Sequence, residues 1–220
     1  GLMKPRMVVY SMCNREAMML PRLPRVGGIV YEGGVIAPQA TAHGLTEDDQ
    51  SIHYRNHLKL TEFLTLNNIP FALYGVATNA RSPYLNAGAQ VFPSLPYYTM
   101  LQQLTRYDWG FVGAASPNKA IETCMPNKMF ECIIMGTPVI VCNAPEAGKW
   151  AEDNGFGINV DSILEIPKRY GEHVELRKNV MENRHKFVME NQARSIIDFY
   201  GEVTAAHQEK YKAELGKLGV

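Results

Sequence analysis

Lys128 and Glu131 are the residues of this chain whose types and spacing best suit chemistry on a charged ligand. They stand three positions apart, close behind Pro126, so they share one face at the start of a predicted helix. Unpaired amides and the helix dipole make that end positive, and a lysine there favours phosphate. A carboxylate one turn further in can accept hydrogen bonds from sugar hydroxyls. The spacing therefore indicates a site for a ligand with phosphate and ribose; the alternative is an ordinary pair of opposite charges on a helix surface.

The residues around this pair predict the element that holds it. Pro126 suits the first helical position, because its missing amide hydrogen would have no partner there. The helix is expected over residues 126–135, and Gly136 is expected to end it before a buried strand at 138–142. Asn127 is the other polar residue of the turn that starts the helix.

Short apolar runs alternate with helical patterns along most of the chain. Strand patterns occupy residues 28–32, 69–74, 90–92, 109–112, 138–142 and 157–160. Helical patterns start at 46–49 and continue at 57–64, 83–86, 98–104, 126–135, 146–154 and, with breaks, from 162 onward. The expected fold class is α/β, a Rossmann-like three-layer domain with a parallel sheet of about six strands. Right-handed connections place the carboxyl ends of all the strands at one edge, where ligands bind.

A second feature suited to ligand binding is the pair Gly33-Gly34, directly after the first predicted strand. Two glycines allow the backbone to approach a ligand closely, although the same pair also suits a plain turn. The first strand is expected to stop at this pair.

The composition favours a globular protein and excludes several function classes. Of the 220 residues, 46% are hydrophobic and 20% charged, and the 22 basic residues balance the 22 acidic ones, so we expect no nucleic-acid partner. No apolar run is long enough to span a bilayer and no secretory signal pattern opens the chain, which indicates a cytoplasmic protein. Cys132 and Cys142 lie in apolar segments, as reduced buried thiols do. The six histidines lack metal-ligand spacing, and we expect neither a metal site nor a cofactor.

The stretch from Pro126 to Val141 resembles the group-1 (GT4-like) family of GT-B glycosyltransferases. Many members carry the phrase Pro-Asn/Ser-Lys-x-x-Glu, followed by Gly-x-Pro-Val-Ile, in their C-terminal half. The order of elements is similar from about Val30 to Tyr200, although the match is sharp only in that stretch. The resemblance implies that this chain is the half of such an enzyme that binds the nucleotide-sugar donor.

The resemblance also implies roles for particular residues. Glu131 would bind the ribose, and the turn at Asn127 and Lys128 would meet the diphosphate. Gly33-Gly34 would lie near the donor phosphates. The loop Phe92–Tyr98 would lie against the nucleobase, largely through backbone atoms. The adjacent Tyr97 and Tyr98 could add a stacking face; the alternative is that Tyr98 packs its helix into the core.

The sequence departs from the family in two places. The family usually has a basic pair after the glycine loop, yet no Arg or Lys occurs between Gly34 and Tyr54. Arg55 and Lys59, expected on the following helix, are the nearest candidates. Many members also carry a glutamate eight positions before the ribose-binding one; here Thr123 stands there, with Glu122 beside it.

Residues 1–27 are interpreted as a cloning remnant, Gly1-Leu2, followed by an interdomain linker, and residues 28–220 as the donor-binding domain with C-terminal helices. On that view the N-terminal domain of a GT-B enzyme is missing from this chain; the alternative is a self-sufficient small protein. The acceptor would be a sugar, a lipid-linked sugar or a polysaccharide, and the location cytoplasmic, either free or peripheral at the inner face of the membrane. Two other functions remain open: a non-catalytic α/β interaction or regulatory module of the same fold, and half of a nucleotide-sugar epimerase.

Overall fold

A sheet of six parallel strands forms the centre of the domain in a computed structural model that describes residues 7, 9–10, 12–36 and 55–217. The strands lie in the order β3-β2-β1-β4-β5-β6. Their bounds are β1 Ile29–Val35, β2 Phe71–Val76, β3 Gln90–Phe92, β4 Trp109–Gly113, β5 Val139–Cys142 and β6 Gly157–Val160. The predicted α/β class and the six-stranded parallel sheet are confirmed.

Helices connect the strands and cover the sheet. The α-helices of the described ranges are α1 Leu58–Leu66, α2 Arg81–Asn86, α3 Tyr97–Leu104, α4 Lys119–Glu122, α5 Asn127–Ile134, α6 Pro145–Asp153, α7 Ile166–Arg169, α8 His173–Asn183 and α9 Met189–Lys217. Short 3-10 helices occupy Arg15–Met19, Thr78–Ala80, Ile163–Glu165, Tyr170–Glu172 and Arg184–Lys186. The helix start expected at 46–49 and the dipeptide Gly1-Leu2 lie outside the described residues. Within those ranges, no helix is both long enough and apolar enough to cross a bilayer.

The two faces of the sheet carry separate cores, which makes the domain three-layered. On β1, Val30 faces one core while Ile29 and Tyr31 face the other, because successive side chains of a strand point to opposite sides. The first core includes the buried side chains of α5, and the second includes Leu60 and Leu64 of α1.

The strand order reverses between β1 and β4, which are neighbours in the sheet although β2 and β3 separate them in the sequence. The chain leaves β1 towards one edge and β4 towards the other, so a crevice forms at the carboxyl ends of these two strands. Such a switch point is the usual ligand site of open α/β sheets.

The expected stop of β1 at Gly33-Gly34 is wrong. The strand runs on to Val35, which pairs with Val76 after a register shift that begins at Glu32. Gly33 has a φ of 132°, a conformation that glycine adopts without strain, so the pair bends the strand instead of ending it.

The segment before β1 packs on the domain. Cys13 and Ala17 are buried, and the Cys13 carbonyl accepts from the Met189 amide at 2.9 Å. Tyr10 exchanges two hydrogen bonds of 2.9 Å with the side chain of Gln192 on α9. Its role as an interdomain linker stays a prediction.

Asp108 joins three parts of the chain at the opposite edge of the sheet. Its carboxylate accepts from the Tyr170 hydroxyl at 2.7 Å, from the Gly28 amide at 3.2 Å and from the Arg25 guanidinium. Burial alone would raise the pKa of Asp108, but the hydrogen bonds from Tyr170 and Arg25 and the nearby His173 outweigh it, so this pKa lies below its ordinary value. The carboxylate therefore stabilises the fold in its ionised form.

Replacing Asp108 with alanine is expected to lower the free energy of unfolding by about 1–3 kcal/mol, because buried donors lose a charged acceptor. Urea unfolding measures the change. The Asp153→Ala variant is the matched control: its carboxylate pairs with Lys149 on an exposed surface, and its loss should cost no more than about 0.5 kcal/mol. The contribution of Asp108 is present above the ordinary carboxyl pKa and is lost as the pH falls through the lowered one, so the difference should vanish in acid. Equal losses in both variants at neutral pH would contradict this account.

Candidate functional site

A cavity of about 650 Å³ opens at the carboxyl ends of β1 and β4, where the strand order reverses. Its walls come from the end of β1, the end of β4, helix α4 and the start of α5. The lining residues are Tyr31, Glu32, Gly33, Gly34, Arg55, Gly113, Ala120, Ile121, Cys124, Met125, Pro126, Asn127, Lys128 and Glu131. Six of the seven residues predicted for the site therefore line one cavity; the exception is Tyr97.

Helix α5 places its positive end in this cavity. It starts at Asn127, so Pro126 is the N-cap residue and not, as expected, the first residue of the helix. A proline in extended conformation fits there as well, because its φ of −66° lies in its fixed range. No side chain of the described residues caps the helix, so its first amides remain available to a ligand. Gly136 follows the helix with a φ of 76°, as expected of a C-terminal glycine.

Lys128 directs its ammonium group at the bend of β1. Its Nζ donates to the Glu32 carbonyl oxygen at 3.0 Å and lies 4.0 Å from the centre of the Tyr31 ring. A Cβ atom at Gly33 would lie 2.9 Å from the same Nζ. A side chain at this point of the strand would displace the ammonium group, and the φ of 132° separately favours glycine there.

His57 supports the Tyr31 ring from within the second core. The two ring centres are 4.1 Å apart, and Phe111 meets the imidazole edge-on. Burial and then the charge of Lys128 lower the pKa of His57 to about 3, so the ring is neutral near pH 7. Neither ring nitrogen has a hydrogen-bond partner within the described part of the chain.

Arg55 brings a second positive charge to the glycine pair. A Cβ atom at Gly34 would lie 3.2 Å from Arg55 Nη1, so the guanidinium group lies against the backbone there. The residue precedes α1, which starts at Leu58, and so is not on the helix as expected. Lys59, the other candidate, is on α1 and does not line the cavity. Arg55 therefore supplies a basic group beside the glycine pair, although none follows the pair directly in the sequence.

Glu131 forms a hydrogen bond with the side chain of Glu32, a residue to which sequence reasoning gave no role. Both side chains line the cavity and are half-buried. Burial, the hydrogen bond to Glu32 and the charge of Glu32 raise the pKa of Glu131 well above its ordinary value, and Lys128 opposes this shift only in part. A raised carboxyl pKa in a cleft is typical of a functional site.

Tyr97 lies outside this cavity, and its hydroxyl is 3.3 Å from Cys13 Sγ. The loop before it contributes to a second cavity of about 250 Å³, which adjoins the first along Glu32, Gly33 and Gly34. This second cavity is also lined by Tyr74, Gly75, Ser94, Leu95 and Met100. From the loop 92–98, Ser94 and Leu95 thus face the site, whereas Tyr97 packs against the N-terminal segment.

Glu122, the candidate for the earlier family glutamate, does not reach the main cavity. It lines a separate cavity of about 220 Å³ with Asn118, Asn143, Asn159 and Asp161. The carboxylate that accompanies Glu131 in space is therefore Glu32. Among the described residues, no three His, Cys, Asp or Glu side chains are grouped as metal ligands.

Several solved structures of glycosyltransferases share the fold of this chain. A glycosyltransferase from Rickettsia africae aligns with a TM-score of 0.54 at 15% identity, over 82% of this chain and 49% of its own. A mutant O-GlcNAc transferase from Thermobaculum terrenum aligns with a TM-score of 0.52 at 15% identity, over 90% of this chain and 38% of its own. The pneumococcal O-GlcNAc transferase, crystallised with UDP and GlcNAc, aligns with a TM-score of 0.51 at 14% identity, over 82% of this chain and 36% of its own.

These likenesses establish the fold alone, because the identities are low. At that level the expected resemblance to one half of a GT-B glycosyltransferase is confirmed, and this chain spans half or less of the length of each of the three. The sequence matches no protein-family model and shows no similarity to a curated protein.

Proposed function

We propose that this chain is the nucleotide-sugar-binding half of a GT-B glycosyltransferase of the group-1 (GT4-like) kind. The observation that carries the proposal is the meeting of a carboxylate, two cations, a glycine bend and an uncapped helix end in one cavity at the switch point of the sheet. Each of these groups suits one part of a sugar nucleotide.

The ribose would bind to Glu131. Its carboxyl group lies one turn into α5 and lines the cavity. A carboxyl oxygen carries two lone pairs and can accept from both hydroxyls of a ribose.

The diphosphate would bind between the bend of β1 and the start of α5. Lys128 and Arg55 approach Gly33 and Gly34 there, and the uncapped amides of α5 point the same way. During transfer, negative charge grows on the diphosphate as its bond to the sugar breaks. Cations and amides already in place stabilise that charge, so the same groups would promote departure of the leaving group.

The nucleobase would extend into the second cavity, next to the loop with Ser94 and Leu95. This cavity is joined to the first along Glu32 and the glycine pair, as a continuous nucleotide would require. The pneumococcal structure contains UDP, which makes uracil the first base to test.

The residues that bind the acceptor, and any general base, would come mainly from a second domain. The chain spans only 36–49% of the three transferase structures, and in a two-domain enzyme the acceptor enters the cleft between the domains. The acceptor would be a sugar, a lipid-linked sugar or a polysaccharide, and the setting cytoplasmic.

Two other functions are weaker readings of the same site. A non-catalytic module of this fold was suggested by the missing basic pair, but Arg55 at the glycine bend supports donor binding instead. Half of a nucleotide-sugar epimerase would bind the same ligands, and would be distinguished by conversion of one sugar nucleotide into its epimer without an acceptor.

A thermal-shift screen of UDP-, GDP- and ADP-sugars, followed by calorimetry, tests the proposal. We expect the sugar nucleotides of one base to stabilise the chain. The Lys128→Ala variant should bind that ligand about tenfold more weakly, which is a loss of about 1.4 kcal/mol in the free energy of binding. The matched control is Lys149→Ala, which removes an exposed lysine of α6 paired with Asp153 and should bind normally. Absence of binding for all three bases at millimolar concentration, or equal affinity in the two lysine variants, would refute the proposed site.

A further inference from the structure

Glu32 is the residue of the cavity whose position most needs an explanation. It lies at the bend of β1, directly before Gly33, and lines both the main and the second cavity. Its side chain forms a hydrogen bond with Glu131, although an ionised carboxylate can only accept. Such a bond requires one proton shared by the two groups, as in other carboxyl pairs.

The nearby lysine does not remove the need for this proton. Lys128 binds the main-chain oxygen of Glu32 and the Tyr31 ring, and it forms no ion pair with either carboxylate among the described contacts. Arg55 lines the same cavity next to Gly34. Among the described residues, Cys13, Tyr97 and Cys132 also interact electrostatically with Glu131, and burial is the main cause that raises the pKa of each, so they are neutral near pH 7.

We propose that Glu32 is a positioning residue of the donor site, which holds the shared proton against one oxygen of Glu131 and leaves the other free to accept the hydroxyls of a ribose. The inference rests on the proposed function, because it assigns the ribose to Glu131. Glu32 touches Glu131 in the structure, and its effect on the ligand is exerted through that contact.

The shared proton also makes the affinity for the donor depend on pH. The raised pKa of Glu131 keeps the pair singly protonated near neutral pH. As the pH rises through that pKa, the proton is lost and two negative charges face each other beside a diphosphate. Affinity should therefore fall on the alkaline side by about tenfold for each pH unit, since binding then requires uptake of one proton.

Calorimetry with UDP-glucose, GDP-mannose and ADP-glucose between about pH 6 and about pH 9 tests this, because the diphosphate of a sugar nucleotide does not titrate in that range. The wild type should lose affinity towards high pH. In Glu32→Gln the amide is a permanent donor, so affinity at neutral pH should stay within about threefold of the wild type and the alkaline loss should disappear. Glu122→Gln, altered in the separate cavity, is the control and should keep the wild-type profile.

A titration of the ligand-free protein tests the carboxyl pair directly, and the binding results separate the two proposals. Carbon-13 NMR of the Glu131 carboxyl should show a raised pKa in the wild type and a lower one in Glu32→Gln. If the nucleotide binds but Glu32→Gln keeps the alkaline loss, the role of Glu32 is refuted and the proposed function stands. If no sugar nucleotide binds at any pH, the proposed function fails and the role of Glu32 fails with it, whatever the titration shows.

Discussion

Replacing Glu131 with alanine is expected to weaken binding of the sugar nucleotide by about 10- to 150-fold, which corresponds to about 1.5–3 kcal/mol. The reason is that the ribose hydroxyls lose the Glu131 oxygen that accepts from them inside a half-buried cavity, where water replaces it poorly. The same change also removes one member of the pair with Glu32, so the protein without ligand should be at least as stable as the wild type near neutral pH. Lost affinity together with retained stability is the result expected if Glu131 binds the ligand.

Calorimetry of wild type and variant under identical conditions measures this difference. Glu175→Ala is the matched control, because that glutamate is exposed and pairs only with Lys178 among the described contacts. Far-UV circular dichroism and urea unfolding establish that each variant is folded. Equal affinities for wild type and Glu131→Ala would mean that Glu131 is a structural charge on α5.

The second large effect concerns catalysis: residues 1–220 alone are expected to bind the sugar nucleotide and to transfer no sugar. The groups proposed to bind the diphosphate are present, but an acceptor needs an opposing wall to hold it against the reacting carbon. Correct positioning of two reactants supplies about 7–11 kcal/mol of a barrier, so without it the rate should fall by at least about five orders of magnitude.

Release of nucleotide diphosphate and transfer of labelled sugar, measured with simple sugars, lipid-linked sugars and polysaccharides as acceptors, test this expectation. The Glu131→Ala variant gives the background of each assay. Steady, acceptor-dependent turnover by the chain alone, well above that background, would show that the cleft needs no second domain.

Most of the sheet could be predicted from the sequence, because parallel strands buried on both faces give short apolar runs between turn residues. The pattern at 90–92 and 157–160 even predicts β3 and β6 at their observed bounds. The extent of β1 could not be predicted in this way. Gly33-Gly34 is a stop signal in isolation, and only the pairing of Val35 with Val76 carries the strand beyond it.

The candidate site could be predicted where its residues are consecutive. Asn127, Lys128 and Glu131 lie within five positions, so helix geometry alone brings them to one place. Arg55 could be named only as the nearest basic residue, because its approach to Gly34 depends on the path of the chain before α1.

Glu32 was missed because no residue close to it in the sequence is its partner. Its partner Glu131 is far away in the sequence, and the two meet only because β1 ends beside the start of α5. The one available signal was a glutamate directly before a glycine pair at the end of the first strand. Strand ends at a switch point are where such residues should be sought.

A crystal structure of residues 1–220 with the sugar nucleotide that gives the largest thermal shift tests the central claim most directly. The account predicts both ribose hydroxyls within hydrogen-bonding distance of Glu131, and the diphosphate against Gly33-Gly34 beside Lys128. A nucleotide bound elsewhere, for example in the cavity lined by Glu122 and Asp161, with the Glu131 cavity empty, would contradict it.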